Sequence, residues 1–535
     1  MKADLILYNG RVYTVDPVRP WAEAVACRDG RIVTVGSNDD VLELAGPQTN
    51  NIDVGRRLVL PGLTDAHVHF LQYAIRRYQV SLFGVADFDE VRRRITAAVS
   101  TAEPGQWIVG WGWDENLWDV RPIAAHLDDV APINPVALAR MDMHTWWVNS
   151  QALQQASVDR HTPDPAESRI ERDEAGNPTG ILREWNAIEL VEKHIPQPSS
   201  ATLEKKLRST IAEAHRFGVT GIHDQRVERE GQQSFRLMQS LWRRGELKLR
   251  VHLNIAADYL AEAAVLGLQP GFGDDRLWLG HVKAFADGTM GSRTAWMLAP
   301  FEGEPHNVGL AVTPVEKLWQ LAVRAGEAGF PLSVHAIGDR AVREVLDVFT
   351  ERQTAEPAAR LTLPHRIEHV QLIHPDDLSR AGARGVMASV QPVHLLTDWP
   401  TADLVWGERA RYAYAFRSLL EHGTRLAFGS DAPVAPFNPM LGIYAAVMRQ
   451  DERGKPEAGW YPEERLTVAE AIHGYTMGPA FLAGKERHQG SITPGKWADL
   501  IVLSRNLFEI PAAEIAGVSV DFTVFAGEVV HASNS

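Results

Sequence analysis

The chain has 535 residues, 45% hydrophobic and 23% charged, which suits a soluble globular enzyme and is too long for one simple core. Acidic residues outnumber basic ones by 68 to 54, a formal net charge of -14, and no basic stripe answers phosphates, which argues against a nucleic-acid partner. Cys27 is the single cysteine, excluding an intrachain disulfide and a thiolate cluster; with no signal-like core and no apolar run of roughly 18–20 residues, a cytoplasmic protein with no membrane partner is expected.

Residues 4–60 read as short strands at 4–8, 11–15, 24–28 and 31–35, with Asn9-Gly10 and Asp29-Gly30 as hairpin turns. The C-terminal runs 498–503 and 522–530 have the same texture. A small β-sandwich built from both chain ends, 1–60 and 486–535, is therefore expected. Between them, short β-branched runs alternate with Ala- and Arg-rich helical stretches, with strands at 59–66, 219–224, 248–254, 279–286, 331–336, 365–370, 386–391 and 425–430. Eight such strands predict an α/β fold, a closed (β/α)8 TIM barrel over 61–485. The gap between the first two strands exceeds a normal crossover, which predicts an inserted subdomain at about 75–205. It carries Trp107, Trp111, Trp113, Trp118, Trp146 and Trp147, readable as core packing or as an aromatic wall around an organic ligand.

The chemistry sits at the strand ends. Leu60-Pro61-Gly62-Leu63-Thr64-Asp65-Ala66-His67-Val68-His69 closes a strand on a His-x-His pair, which aims two imidazoles from one side of an extended backbone. Successive strands then end on His223-Asp224, Lys283, His335, His369 and Asp431, each closing a run that otherwise reads as buried. One buried histidine is ordinary. Repeated at strand after strand, such groups are too costly to bury unless a metal or a network answers them. For Lys283 a salt bridge with Asp287 or Asp224 is the alternative.

The pattern resembles the amidohydrolase superfamily, in particular the amidohydrolase family 3 branch to which N-substituted formamide deformylases belong. The motifs are residues 61–69, Val282-Lys283-Ala284-Phe285-Ala286-Asp287-Gly288-Thr289, Val334-His335-Ala336-Ile337-Gly338-Asp339-Arg340-Ala341, Arg366-Ile367-Glu368-His369, Gly429-Ser430-Asp431-Ala432-Pro433 and residues 490–500. The resemblance implies that His67, His69 and Asp431 bind one metal and that His335 and His369 bind a second. It also implies that Lys283, carboxylated by carbon dioxide, bridges the two. Zn2+ suits imidazole and carboxylate donors. A one-metal site with unmodified Lys283 is the alternative.

The implied activity is hydrolysis of a C–N (amide-type) bond in a neutral organic small molecule by metal-activated hydroxide, with Asp431 as general base and then acid. Deamination, opening of a cyclic amide or lactone, or isomerisation on the same scaffold is the alternative, and a non-catalytic binding protein is a third reading. Asp65 is expected to orient the His pair and Glu368 to orient His369, with His223 and Asp224 ending their strand close by. His144, in the insertion, is expected to act on the substrate carbonyl. Trp113, Asp114, Gln391, Asp398 and Trp399 are expected to line the pocket, and a homodimer is the family-level expectation.

Overall fold

The computed structural model describes residues 2–141, 145–166, 168–225, 232–355, 361–383 and 385–533. Eight strands form one parallel sheet: β1 (Leu63–Val68), β2 (Val219–Asp224), β3 (Arg250–Ala256), β4 (Leu277–Phe285), β5 (Leu332–Ala336), β6 (Arg366–His369), β7 (Met387–Val390) and β8 (Leu426–Phe428). They lie in chain order, each paired in parallel with the next. Just past β8, Asp431 N donates to His67 O at 2.7 Å and His69 N donates to Ala432 O at 2.9 Å, drawing the last strand to the first. The sheet is a nearly closed (β/α)8 barrel. Its strands are buried almost end to end, which is why they read as apolar runs rather than alternating ones. Helices such as Val315–Glu327 cover them with Leu318, Leu321, Ala322 and Ala325, spaced to form one apolar stripe.

Two further sheets use both ends of the chain. One runs Arg31–Gly36, Ala24–Arg28, Leu5–Tyr8, Asn50–Asp53; the other runs Glu528–Ala532, Val520–Phe525, Leu500–Leu503, Leu58–Pro61, Arg11–Tyr13, Trp21–Ala22. Leu7, Val12, Val25, Val59, Leu500, Val502 and Val524 share one core cluster between them.

Two sequence expectations are corrected here. Asp29-Gly30 does join an antiparallel pair, but Asn9-Gly10 does not: Leu5–Tyr8 and Arg11–Tyr13 belong to different sheets. Asn9 takes a left-handed φ of 55°, its N–H donates to Asn38 Oδ1 at 2.7 Å, and its carbonyl accepts from Arg56 N at 2.6 Å. Long-range partners thus pull the turn across from one sheet to the other. The run 59–66 is likewise two strands. It divides at Gly62, where a Cβ would collide with the Thr220 side chain. Leu58–Pro61 pairs with Leu500–Leu503, whereas Leu63–Val68 enters the barrel.

The chain forms two compact units, Met1–Tyr73 with Leu207–Ser535, and Ala74–Lys206. The second holds its own six-stranded sheet, ordered Arg169–Arg172, Pro178–Arg183, Thr145–Val148, Val136–Arg140, Ile108–Trp113, Val80–Ser81. Trp113 and Trp147 are buried in its core with Leu138 and Ile108. Their rings lie 5.9 Å apart, so these two tryptophans are core residues.

Arg250, at the start of β3, ties the barrel to the C-terminal segment. Both residues of its pair are buried: Nε and Nη2 donate to Asp499 at 2.7 and 3.0 Å, while the guanidinium lies 4.0 Å from the Trp497 ring centre. Arg250→Met leaves the buried Asp499 carboxylate with the Ala526 N–H but without its cation, and is expected to cost about 3–5 kcal/mol. A midpoint of thermal unfolding, followed by circular dichroism, that stays at the wild-type value would overturn this assignment.

Candidate metal centre

Three donor groups meet where β1 and the end of β8 touch. Donor atoms of His67, His69 and Asp431 all lie within 4.8 Å of one another. His67 Nε2 is 3.3 Å and His69 Nε2 3.4 Å from Asp431 Oδ1. The local chain explains the convergence. His67 and His69 are two apart on one extended segment, so they face the same way. Asp65, one register earlier, accepts from His67 N at 3.0 Å and from Ser430 N at 3.0 Å, pinning both strand ends. At Gly429 a Cβ would collide with the His67 backbone nitrogen, so only glycine lets the two strands approach. Asp431 then turns inward through a left-handed φ of 59°.

The His67 ring is fixed from behind. Its Nδ1 donates to Glu368 Oε2 at 2.6 Å, both side chains being buried. Glu368 also accepts from Ser333 Oγ at 2.6 Å and from Arg366 Nη2 at 3.0 Å, and Arg366 Nε completes the pair. Burial would raise the Glu368 carboxyl, but Arg366 and His67 outweigh it and hold it well below the usual carboxylate range. With its proton held on Nδ1, His67 presents a lone pair at Nε2, which is buried without a hydrogen-bond partner. That orphaned nitrogen, with His69 and Asp431 beside it, fits a divalent cation. Burial alone would lower the His67 pKa, yet Glu368 and Asp431 raise it: two carboxylates face this ring, a setting that favours positive charge. Asp431, which burial would raise, is held well below its ordinary value by His67 and His69.

The remaining expected donors line the next strand ends. The His67 and His369 ring centres are 4.8 Å apart, and those of His335 and His369 are 4.5 Å apart. His369 Nδ1 donates to Gln391 Oε1 at 2.8 Å, leaving Nε2 with the lone pair. His335 Nε2 donates to Gly288 O at 2.9 Å, so the nitrogen it can offer a cation is Nδ1. Burial pushes His335 down to about 3, with Lys283 adding to the effect. Lys283 is buried 4.7 Å from the Phe285 ring centre, and desolvation pushes its amine down to about 8. Asp287 instead accepts the backbone N–H groups of Trp296, Ile337 and Gly338 at 2.8–3.0 Å.

Several expected roles are corrected. Glu368 holds His67 rather than His369, which leaves the extended backbone through a left-handed φ of 73°. The partner of His369 is Gln391, expected at the substrate. Asp65 acts on the His67 backbone and not on an imidazole. His223 lies behind Arg366, whose Nη1 donates to its Nδ1 at 3.0 Å, and Asp224 accepts from Phe70 N and Ser234 Oγ at 3.0 Å each. In the Ala74–Lys206 unit, Trp113 is core, its Nε1 donating to Leu138 O, and Asp114 pairs with Arg140 at 3.1 Å. Asp398 accepts from Tyr414 Oη at 2.6 Å, and Trp399 packs half-buried on the barrel core. His144 lies outside the described residues. Sequence reasoning missed Arg366 and His394. The first opens the Arg-Ile-Glu-His run and the second follows Gln391-Pro392-Val393, so each adjoins a residue already singled out. His394 Nε2 is 3.7 Å from Asp431 Oδ2.

A model of the amidohydrolase family matches residues 51–531. The Arabidopsis thaliana protein LONG AFTER FAR-RED 3 is 35% identical over 95% of this chain and 88% of its own length. The N-substituted formamide deformylase of Arthrobacter pascens is 29% identical over 97% and 96%. Among solved structures, an uncharacterized metal-dependent hydrolase from Pyrococcus furiosus aligns with a TM-score of 0.76 at 28% identity, covering 94% of this chain and 99% of that one.

The Glu368–His67 bond carries a measurable consequence. Glu368→Gln keeps the shape but replaces the carboxylate acceptor, and is expected to weaken zinc binding about 10–100-fold. Competition against a chromogenic chelator measures it; unchanged affinity would remove Glu368 from the centre.

Proposed function

Because the chain belongs to the amidohydrolase family, we propose that it is a metal-dependent hydrolase that cleaves the C–N bond of a neutral organic amide. The observation that carries the reading is the buried, unpartnered Nε2 of His67 beside His69 and Asp431. In this reading His67, His69 and Asp431 hold one ion, His335 and His369 hold a second, and both are Zn2+. Lys283, if carboxylated on its buried amine, would supply anionic oxygen donors to these ions. A divalent cation in this place supplies Lewis acidity, polarising a carbonyl and making water more acidic. The two terminal sheets are read as one small β-sandwich.

The chain's own groups do the rest. Glu368 and Gln391 keep the His67 and His369 rings in one tautomer each, so no donor has to reorganise during turnover. Asp431 is ionised and can take a proton from the attacking water. The water oxygen bonds to the carbonyl carbon, and the C=O π pair moves onto oxygen. As that pair returns, the C–N bond breaks and Asp431 passes its proton to the departing nitrogen. An amide and water thus yield a carboxylic acid and an amine. The relation to N-substituted formamide deformylase supports N-substituted formamides as the first substrates to test.

Three measurements test the reading. Protein purified without chelators is expected to carry zinc or another divalent metal, and to release formate and amine in equal amounts from a panel of N-alkyl and N-aryl formamides. Ammonia release from heterocycles, with no amide cleaved, would favour deamination instead. Asp431→Asn, assayed at saturating zinc because a ligand charge is lost, is expected to bind metal while kcat falls at least about 100-fold; wild-type turnover would refute the base. Lys283→Ala is expected to lose activity that short carboxylic acids partly restore, and a fully active variant would refute the bridge.

A further inference from the structure

His394 closes the short turn Pro392–His394 that follows β7. It is buried, its Nε2 has no hydrogen-bond partner, and that nitrogen faces Asp431 Oδ2 across 3.7 Å. Proximity alone would make it one more ligand. The group behind the ring says otherwise.

Behind His67, His369 and His335 stand acceptors: the Glu368 carboxylate, the Gln391 amide oxygen and the Gly288 carbonyl. Each accepts a proton from the outer nitrogen of its ring, so the other nitrogen can offer a lone pair. Behind His394 stands a donor. Gln371 Nε2 lies 3.4 Å from His394 Nδ1, and Gln371 is itself buried. An amide N–H in that place calls for an unprotonated Nδ1, the tautomer that carries the ring proton on Nε2. Asp431 and His394 therefore stand side by side with opposite equipment, one offering lone pairs and the other a proton.

We propose that His394 is a hydrogen-bond donor to the substrate's carbonyl oxygen rather than a metal ligand, and that Gln371 is the positioning residue that selects its tautomer. The proposal rests on the hydrolase reading. As water oxygen bonds to the carbonyl carbon and the π pair moves onto oxygen, the His394 Nε2–H meets the growing negative charge. No proton leaves the imidazole. When the pair returns and the C–N bond breaks, the leaving nitrogen takes its proton from Asp431, and His394 ends as it began.

The test uses the full zinc-loaded chain, with N-substituted formamides as substrates and zinc per chain as a second readout. His394→Ala is expected to leave zinc content and affinity within twofold of wild type while kcat falls about 10²–10³-fold, with KM changed much less. His394→Asn, which keeps an N–H donor, is expected to recover at least tenfold over the alanine variant. Gln371→Glu puts an acceptor behind Nδ1, and is expected to lower kcat as far as His394→Ala does while retaining zinc. Loss of zinc from His394→Ala, or an asparagine variant no better than alanine, overturns the proposal. A substrate-free arm separates it from the hydrolase reading. In protein labelled with 15N-histidine, with His394→Ala for assignment, a protonated Nε2 supports the tautomer and a protonated Nδ1 overturns it. Turnover of no formamide by the wild type would count against the hydrolase reading alone.

Discussion

A carboxylate with no exposed surface survives only where cations and donors surround it, and Glu368 meets that condition at the centre of the barrel. Arg366 supplies the charge and Ser333 a hydroxyl, and the remaining direction points at His67. Arg366 extends the same network: its Nη2 also donates to Ala66 O at 2.6 Å and to Ser389 Oγ at 2.8 Å, and its Nη1 reaches His223. One guanidinium thereby links β1, β2, β6 and β7. Well-packed apolar side chains would fill this volume at no greater cost in stability. The ionic version gives a rigid, polarised support directly beneath the donor cluster.

The backbone shows where that rigidity is spent. His369 and Asp431 hold left-handed φ values of 73° and 59° without being glycine. Such conformations cost of the order of 1–3 kcal/mol each and persist where surrounding bonds over-determine them. Here Asp431 N is tied to His67 O, and Val370 N, just beyond His369, to Ala336 O at 3.1 Å. His369 ends β6 and Asp431 lies just past β8, each carrying a polar side chain that must face inward.

The barrel was legible because its strands are buried on both faces, so each appears as an apolar run ending on a polar group. His67, His69 and Asp431 could be named for that reason. The partner of each ring could not. Glu368 and His67 are 301 residues apart and meet only when the barrel closes, whereas adjacency along the chain suggested His369. Turn chemistry was equally ambiguous: Asn9-Gly10 and Asp29-Gly30 carry the same local signal, and long-range pairing alone separates them. Trp113 misled for a related reason, since an indole with a satisfied N–H packs as well in a core as around a ligand. His394 was invisible because a histidine after a Pro-Val pair has no periodicity to mark it.

The six-stranded terminal sheet places Leu58–Pro61, immediately upstream of the first barrel strand, against Leu500–Leu503, near the far end of the polypeptide. During synthesis the early strand is therefore made long before its neighbour exists. Its pairing edge stays open until that neighbour has been made, an exposed strand edge of the kind prone to aggregation. A chain broken anywhere between these two strands would therefore leave the β-edge unsealed.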